Sequence, residues 1–271
     1  MTLTAITDAP VLRHPYRLLR PFRDSLSAGS RNLIAYWRVP SLLIFTTIQP
    51  VIFVLMFRYV FGGVVSLRLI PYPYVDFLMP GIFVQTTVFG AIGASIGLAT
   101  DRQSGLLERF RSLPMSRSAV LGGRTLADLV RNVFVAALMV GVGYAVGFRI
   151  HVGVPALLAA MLLVLLFGYA LSWLFATVGL MTGNPETAEA AAFPIIAPLV
   201  FASSAFVPVS SMPGWLQAFA AHQPVSVTVT AVRALCVGGP TATNVAEAVA
   251  WSIGLLAVFG PLAVLYYRRS T

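Results

Sequence analysis

The chain has 271 residues, of which 58% are hydrophobic and 10% charged, with a mean hydropathy of +0.86 and a formal charge of +9. An average soluble domain is roughly 25% charged, so too few polar side chains remain here to coat a water-facing globule, and the surplus apolar surface has to face lipid. All eighteen basic residues are Arg, which excludes a P-loop, whose Lys reaches the β/γ-phosphates, and excludes Schiff-base chemistry on a lysine.

Any ATP-driven work must therefore be done by another polypeptide. The single Cys236 rules out an intramolecular disulfide, and His14, His151 and His222 stand singly, without metal-ligand spacing. No catalytic, cofactor or metal site is expected in this chain. The arginines sit beside apolar stretches rather than on one compact basic face, so no nucleic-acid partner is expected either.

In chain order, residues 1–38 read as a cytoplasmic amphipathic segment. Leu18, Phe22 and Leu26 recur at four-residue spacing, and Tyr36 and Trp37 suit an interfacial belt. It is either a topogenic anchor or a lever that passes force into the first span. A transmembrane helix needs ~20 mostly apolar residues, and six stretches qualify or nearly do, at about 39–61, 77–100, 126–148, 153–181, 190–209 and 248–267. The first carries Gln49 and Pro50, and Arg58 near its outer end. The second carries Gln85 and the glycines Gly90, Gly93 and Gly97, which suit close helix packing. Gln49 and Gln85 are candidate pathway residues, or else interhelical hydrogen bonds.

Residues 101–118 form a loop in which Leu106, Phe110 and Leu113 share one helical face. Glu108 can pair with Arg111 there, and Pro114 ends the helix. At the start of the third span, Asp128 and Arg131 are spaced to pair. The fifth stretch is broken by Pro194, Pro198 and Pro208, and residues 210–247 are more apolar than an ordinary loop, with Trp215 suited to an interface. Pro208 and Trp215 mark a candidate external gate, set against a plain surface hairpin. The sixth stretch is closed by Arg268 and Arg269.

The arginines also orient the chain. Fourteen fall on the N-terminal segment, the loop after the second span with the helix that follows, and the C-terminus; only Arg58, Arg68, Arg149 and Arg233 fall on the other side. The bias puts both termini in the cytoplasm. The expected fold is an all-α integral membrane protein of about six spans.

The stretch Gly105-Leu106-Leu107-Glu108-Arg109-Phe110-Arg111-Ser112-Leu113-Pro114-Met115-Ser116-Arg117 resembles the cytoplasmic loop of type-2 ATP-binding-cassette (ABC) exporter permeases, above all the daunorubicin-resistance-like branch. Asn184-Pro185-Glu186, His222-Gln223-Pro224-Val225-Ser226 and Arg233-Ala234-Leu235 resemble that family in the same order along the chain. The resemblance implies a non-catalytic permease subunit of a multi-pass bacterial plasma-membrane exporter. A short cytoplasmic coupling helix made of Leu106, Leu107, Glu108, Arg109, Phe110, Arg111, Leu113 and Pro114 would dock on a separate ATPase. Two ATPase copies would bind ATP and Mg. The second permease would be this chain or a sister, the cargo an amphipathic drug, lipid or glycolipid, and the segment before the last span partly re-entrant. Two other readings compete. An ion-gradient carrier needs intramembrane ionisable groups or broken helices in matching halves, and only the fifth span is broken. A membrane scaffold would recruit cytoplasmic proteins through its basic loops and needs no pathway.

Overall fold

The structure is a computed structural model that describes residues 40–61, 72–106 and 117–269, and those residues are helical with short turns between. Helix α1 (Pro40–Met56) runs through Pro50 and continues as a π-helical turn at Phe57–Phe61. It is followed by α2 (Tyr74–Gln103), α3 (Arg117–Val146), α4 (Val154–Thr182) and α5 (Pro185–Phe201), then by a 3₁₀ turn at Val209–Ser211. The short helices α6 (Gly214–His222) and α7 (Pro224–Val237) precede the last helix, α8 (Thr241–Arg269). Among the described residues, four segments are long and apolar enough to cross a bilayer: Tyr74–Gln103, Gly122–Val146, Val154–Thr182 and Thr241–Arg268.

Contacts at the helix ends show that the long helices alternate in direction. The start of α2 meets the end of α3, where Arg149 N–H donates to Asp76 Oδ1 at 2.9 Å. Phe57 at the end of α1 stacks on Phe206 beyond α5, with centroids 4.3 Å apart. At the opposite end Leu98, Leu180 and Tyr267 cluster, joining the ends of α2, α4 and α8. We call the first the α2-start end and the second the α2-finish end.

Helix α2 is the hub, and it packs most extensively on α4, which in turn packs on α8. The α2–α4 approach needs glycine: a Cβ on Gly179 would lie 2.2 Å from the Ser95 carbonyl oxygen. Burial is graded outward from this pair. In its most apolar window α2 is 61% buried and α8 only 17%, so α8 turns an apolar face, including Trp251, Ile253 and Val258, away from the protein.

The links are short because their residues cap both sides. Gly183 ends α4 in the left-handed conformation (φ 68°), which a side chain would strain. Asn184 then caps α5 by accepting from Glu186 N–H, with Pro185 in the first turn. Gln223 does the same for α7, accepting from Val225 N–H while its amide donates to Leu199 O of α5 at 2.9 Å.

The fifth apolar stretch differs from the sequence expectation, since its helix starts at Pro185 and stops at Phe201 rather than reaching residue 209. The chain leaves the helix where polar groups of α7 can take over the main-chain bonds. Ser226 Oγ accepts from Ser204 N–H at 3.0 Å, and the Arg233 guanidinium donates to Ser204 O at 2.7 Å. Ser203 to Phe206 are all buried, so this non-helical backbone is satisfied inside protein, as it must be wherever water is scarce.

Candidate functional site

The two glutamines singled out in sequence come together. Gln49 of α1 and Gln85 of α2 line one cavity with Pro50, Phe89, Arg131 and Asn132, and its volume is about 80 Å³. Gln85 is 3% exposed, Asn132 6% and Arg131 7%, whereas Gln49 stands at the exposed rim. Arg131 donates to Gly90 O at 2.6 Å and lies 3.5 Å from Asp128 Oδ1, so the expected Asp128–Arg131 pair forms. Among the described residues, neither Gln85 Oε1 nor Asn132 Nδ2 meets a hydrogen-bond partner, and both atoms are sealed from solvent.

Two readings of the sequence change here. Arg131 is not an edge charge: it lies in the middle third of α3, folded against α2. The glycines of α2 also serve a different purpose. A Cβ on Gly93 would meet Arg131 Nη1 at 2.7 Å, and one on Gly97 would overlap the Arg124 guanidinium. The small-residue row thus accommodates two arginines of α3 rather than a bare helix backbone.

At the α2-finish end, α2 runs on to Gln103 and takes in the first residues of the stretch 101–118 expected as loop, and the side chains there are fixed. Asp101 forms an ion pair with Arg124 of α3 at 2.6 Å. Arg102 donates to Leu180 O in the last turn of α4. The chain then turns at Gly105 (φ 67°), and Leu106 follows, half-buried and helical. Leu107, Glu108, Arg109, Phe110, Arg111, Leu113 and Pro114 lie outside the described residues, as does the amphipathic segment 1–38.

The α2-start end holds a second buried network. Arg233 of α7 donates to Phe77 O through Nε and Nη2, at 3.2 and 3.1 Å, and stacks 3.7 Å from the centre of the Phe77 ring. Tyr74 donates to Phe206 O at 3.0 Å. Asp76, 2% exposed, accepts from Arg149 N–H and lies 3.0 Å from His151 Nε2. Sequence reasoning missed this Asp–His pair because Asp76 falls one residue before the uncharged second stretch and His151 lies seventy-five residues on. Pro208 opens the 3₁₀ turn and accepts from Ser211 Oγ, while Trp215 in the first turn of α6 is 78% exposed. These two do not touch the Gln49–Gln85 cavity.

Residues 26–237 match the ABC-2 type transporter family. The daunorubicin resistance ABC transporter permease DrrB1 of Streptomyces coeruleorubidus is 37% identical over 88% of this chain and 84% of its own length. In Mycobacterium tuberculosis, the doxorubicin resistance permease DrrB is 32% identical over 93% of this chain and 91% of its own. DrrC of the same organism is 35% identical over 72% and 70%. Family match, coverage and the run of apolar helices agree: this chain belongs to the ABC-2 type transporter family, as one of its membrane permeases.

Proposed function

We propose that this chain is the membrane subunit of an exporter that moves an amphipathic compound outward, driven by ATP hydrolysis on separate ABC ATPase subunits. The observation that carries the reading is the anchoring of the loop base. Asp101 and Arg102, the last charged residues of α2, are tied to α3 and α4 respectively. A push on the loop would therefore reach three long helices at once, which is what coupling to an ATPase demands. The names of the relatives, permeases of daunorubicin and doxorubicin resistance, support an amphipathic drug or a molecule of similar chemistry as cargo.

In this reading the α2-finish end is cytoplasmic. Arg102, Arg124 and Arg268 gather there and Arg149 and Arg233 lie opposite, in keeping with the positive-inside bias. Six crossings follow if α1 and α5 also span. Each is 17 residues long, about 25 Å at 1.5 Å per residue, short of the ~30 Å hydrocarbon core unless extended by the π-helical turn in one case and by residues 202–208 in the other. The buried break after α5 and helices α6 and α7 would form the partly re-entrant outer segment, with Pro208 and Trp215 at its mouth. The permease works as a pair, with itself or with a sister chain.

The test is co-purification. A tagged chain drawn from native membranes in mild detergent should carry a nucleotide-hydrolysing subunit at fixed stoichiometry. Glu108→Ala and Phe110→Ala should release that subunit while leaving the permease in the membrane. Purification of the chain alone from several gentle detergents, with no ATPase released at any step, would move the reading to a gradient-driven carrier.

A further inference from the structure

The cavity between α1, α2 and α3 has the chemistry of a site rather than of a packing defect. A polar pocket needs about 10–15 Å³ to hold one water; this one has about 80 Å³, room for several waters or for the head of a larger molecule. It sits in the middle third of α2 and α3, where arginine and amide side chains are expensive and tend to mark functional positions. Its wall is uncharged on balance, because Asp128 lies 3.5 Å from the Arg131 guanidinium and the Gly90 carbonyl accepts from it.

The hydrogen-bonding capacity of that wall selects its occupant. Gln49, Gln85 and Asn132 all line the cavity, and an amide side chain can both donate and accept. A cation would face Arg131. An anion would have to give up its hydration and compete with Asp128 for the same guanidinium. A group that both donates and accepts, and carries no charge, meets neither obstacle. Pro50, Phe89 and Val135 on the same wall give such a head an apolar neighbour for its chain.

We propose that this cavity is a binding site for the uncharged hydroxyl or amide head of an amphipathic molecule, with the amides of Gln85 and Asn132 hydrogen-bonding that head and Gln49 guarding the rim. The inference rests on the exporter reading for the source of the occupant. Occupancy can nevertheless be read on the permease alone, whereas ATPase retention tests the exporter reading, so the two can fail separately.

The experiment uses the full chain in phosphatidylcholine nanodiscs and a photoreactive eight-carbon alkanol carrying a diazirine on its chain, with labelled residues mapped by mass spectrometry. Labelling should concentrate about fivefold on cavity residues such as Phe89 and Val135 over the outward face of α8. Excess octanol should compete, while octanoate and octylamine should not. Gln85→Leu should lower the cavity labelling to the level of the α8 face. Gln49→Leu, at an exposed position where folding is not at stake, should lower it two- to threefold. Adding diacylglycerol, a lipid whose uncharged head carries a hydroxyl, separates the two sources: suppression assigns the occupant to membrane lipid, and persistence assigns it to cargo. Labelling spread evenly over all lipid-facing helices, or equal competition by octanoate, or no change in Gln49→Leu, would overturn the site and leave the cavity to water.

Discussion

Arginine holds both ends of the bundle, in different ways. At the α2-finish end, Arg124 meets a carboxylate, and the Arg124 and Asp101 side chains keep 19% and 17% of their surface in solvent. At the α2-start end, the hydrogen bonds of Arg233 go to main-chain oxygens of Phe77 and Ser204, and its Cζ sits over the Phe77 ring. A pair that keeps part of its surface in solvent parts and re-forms more readily than a fully buried group, because water can take over at each partner. A guanidinium sunk among carbonyls cannot withdraw without stranding them. The first end is thus suited to transmit movement, and the second to resist it.

The most direct way to break this comparison is Arg233→Ala. Losing the donor to Ser204 O strands a buried carbonyl, at about 1–3 kcal/mol, and removes a cation–π contact worth roughly 0.5–2 kcal/mol. The purified variant should show the largest fall in thermal midpoint of any single substitution at either end. Arg233→Lys should recover only part of it, since an ammonium lacks the planar fork that reaches Phe77 O and Ser204 O together. A variant as stable as the parent would mean that the α2-start end is held by something other than this arginine.

Much of this architecture is legible in the sequence, because the signals for it are local. Apolar runs of span length and Asp128 three residues before Arg131 express short-range rules, whereas Asn184-Pro185-Glu186 and Gln223-Pro224, noted only for their family resemblance, turn out to be helix caps. What escaped were partners far apart in the chain. Arg124 and Arg102 read as positive-inside charges, yet their guanidiniums are spent on Asp101 and Leu180 O. Gly93 and Gly97 carried the spacing of a helix-packing row, and only three dimensions reveal the arginines that fill the space. Gln49 and Gln85 were recognisable as polar residues in apolar stretches; that α3 completes their cavity with Arg131 and Asn132 was not. The fifth helix ends early for the same reason, since Ser226 and Arg233 that receive its broken backbone lie 22 and 29 residues beyond Ser204.

The α2-finish end should respond in function more than in stability. Asp101→Arg alone places two cations together, and Arg124→Asp alone places two carboxylates together, each costing about 1 kcal/mol at this exposure. Both should leave the protein folded and inserted but lower the transport obtained per ATP hydrolysed in the reconstituted complex. Combining the two restores opposite charges across the same gap, and should return a large part of the coupling ratio. Additive loss in the double variant would show that the pair does not act as one unit, and would remove the loop-base anchor from the proposed mechanism.

The smallest effect belongs to His151. Its side chain is 45% exposed, and Asp76 keeps the Arg149 N–H as a donor when the imidazole is gone, so His151→Gln removes one solvent-competed contact, worth about 0–1 kcal/mol. Thermal midpoint and coupling ratio should both stay close to the parent's. Asp76→Asn should cost more than His151→Gln, because it also removes an acidic group from the first turn of α2, where negative charge is favoured by the helix dipole. The ordering Arg233→Ala, then Asp76→Asn, then His151→Gln in thermal midpoint is what a rigid α2-start end held mainly by Arg233 requires. If His151→Gln instead matched Arg233→Ala, the rigidity of that end would reside in the Asp76–His151 pair, and the contrast between a fixed and a yielding end would have to be redrawn around a group that solvent already reaches.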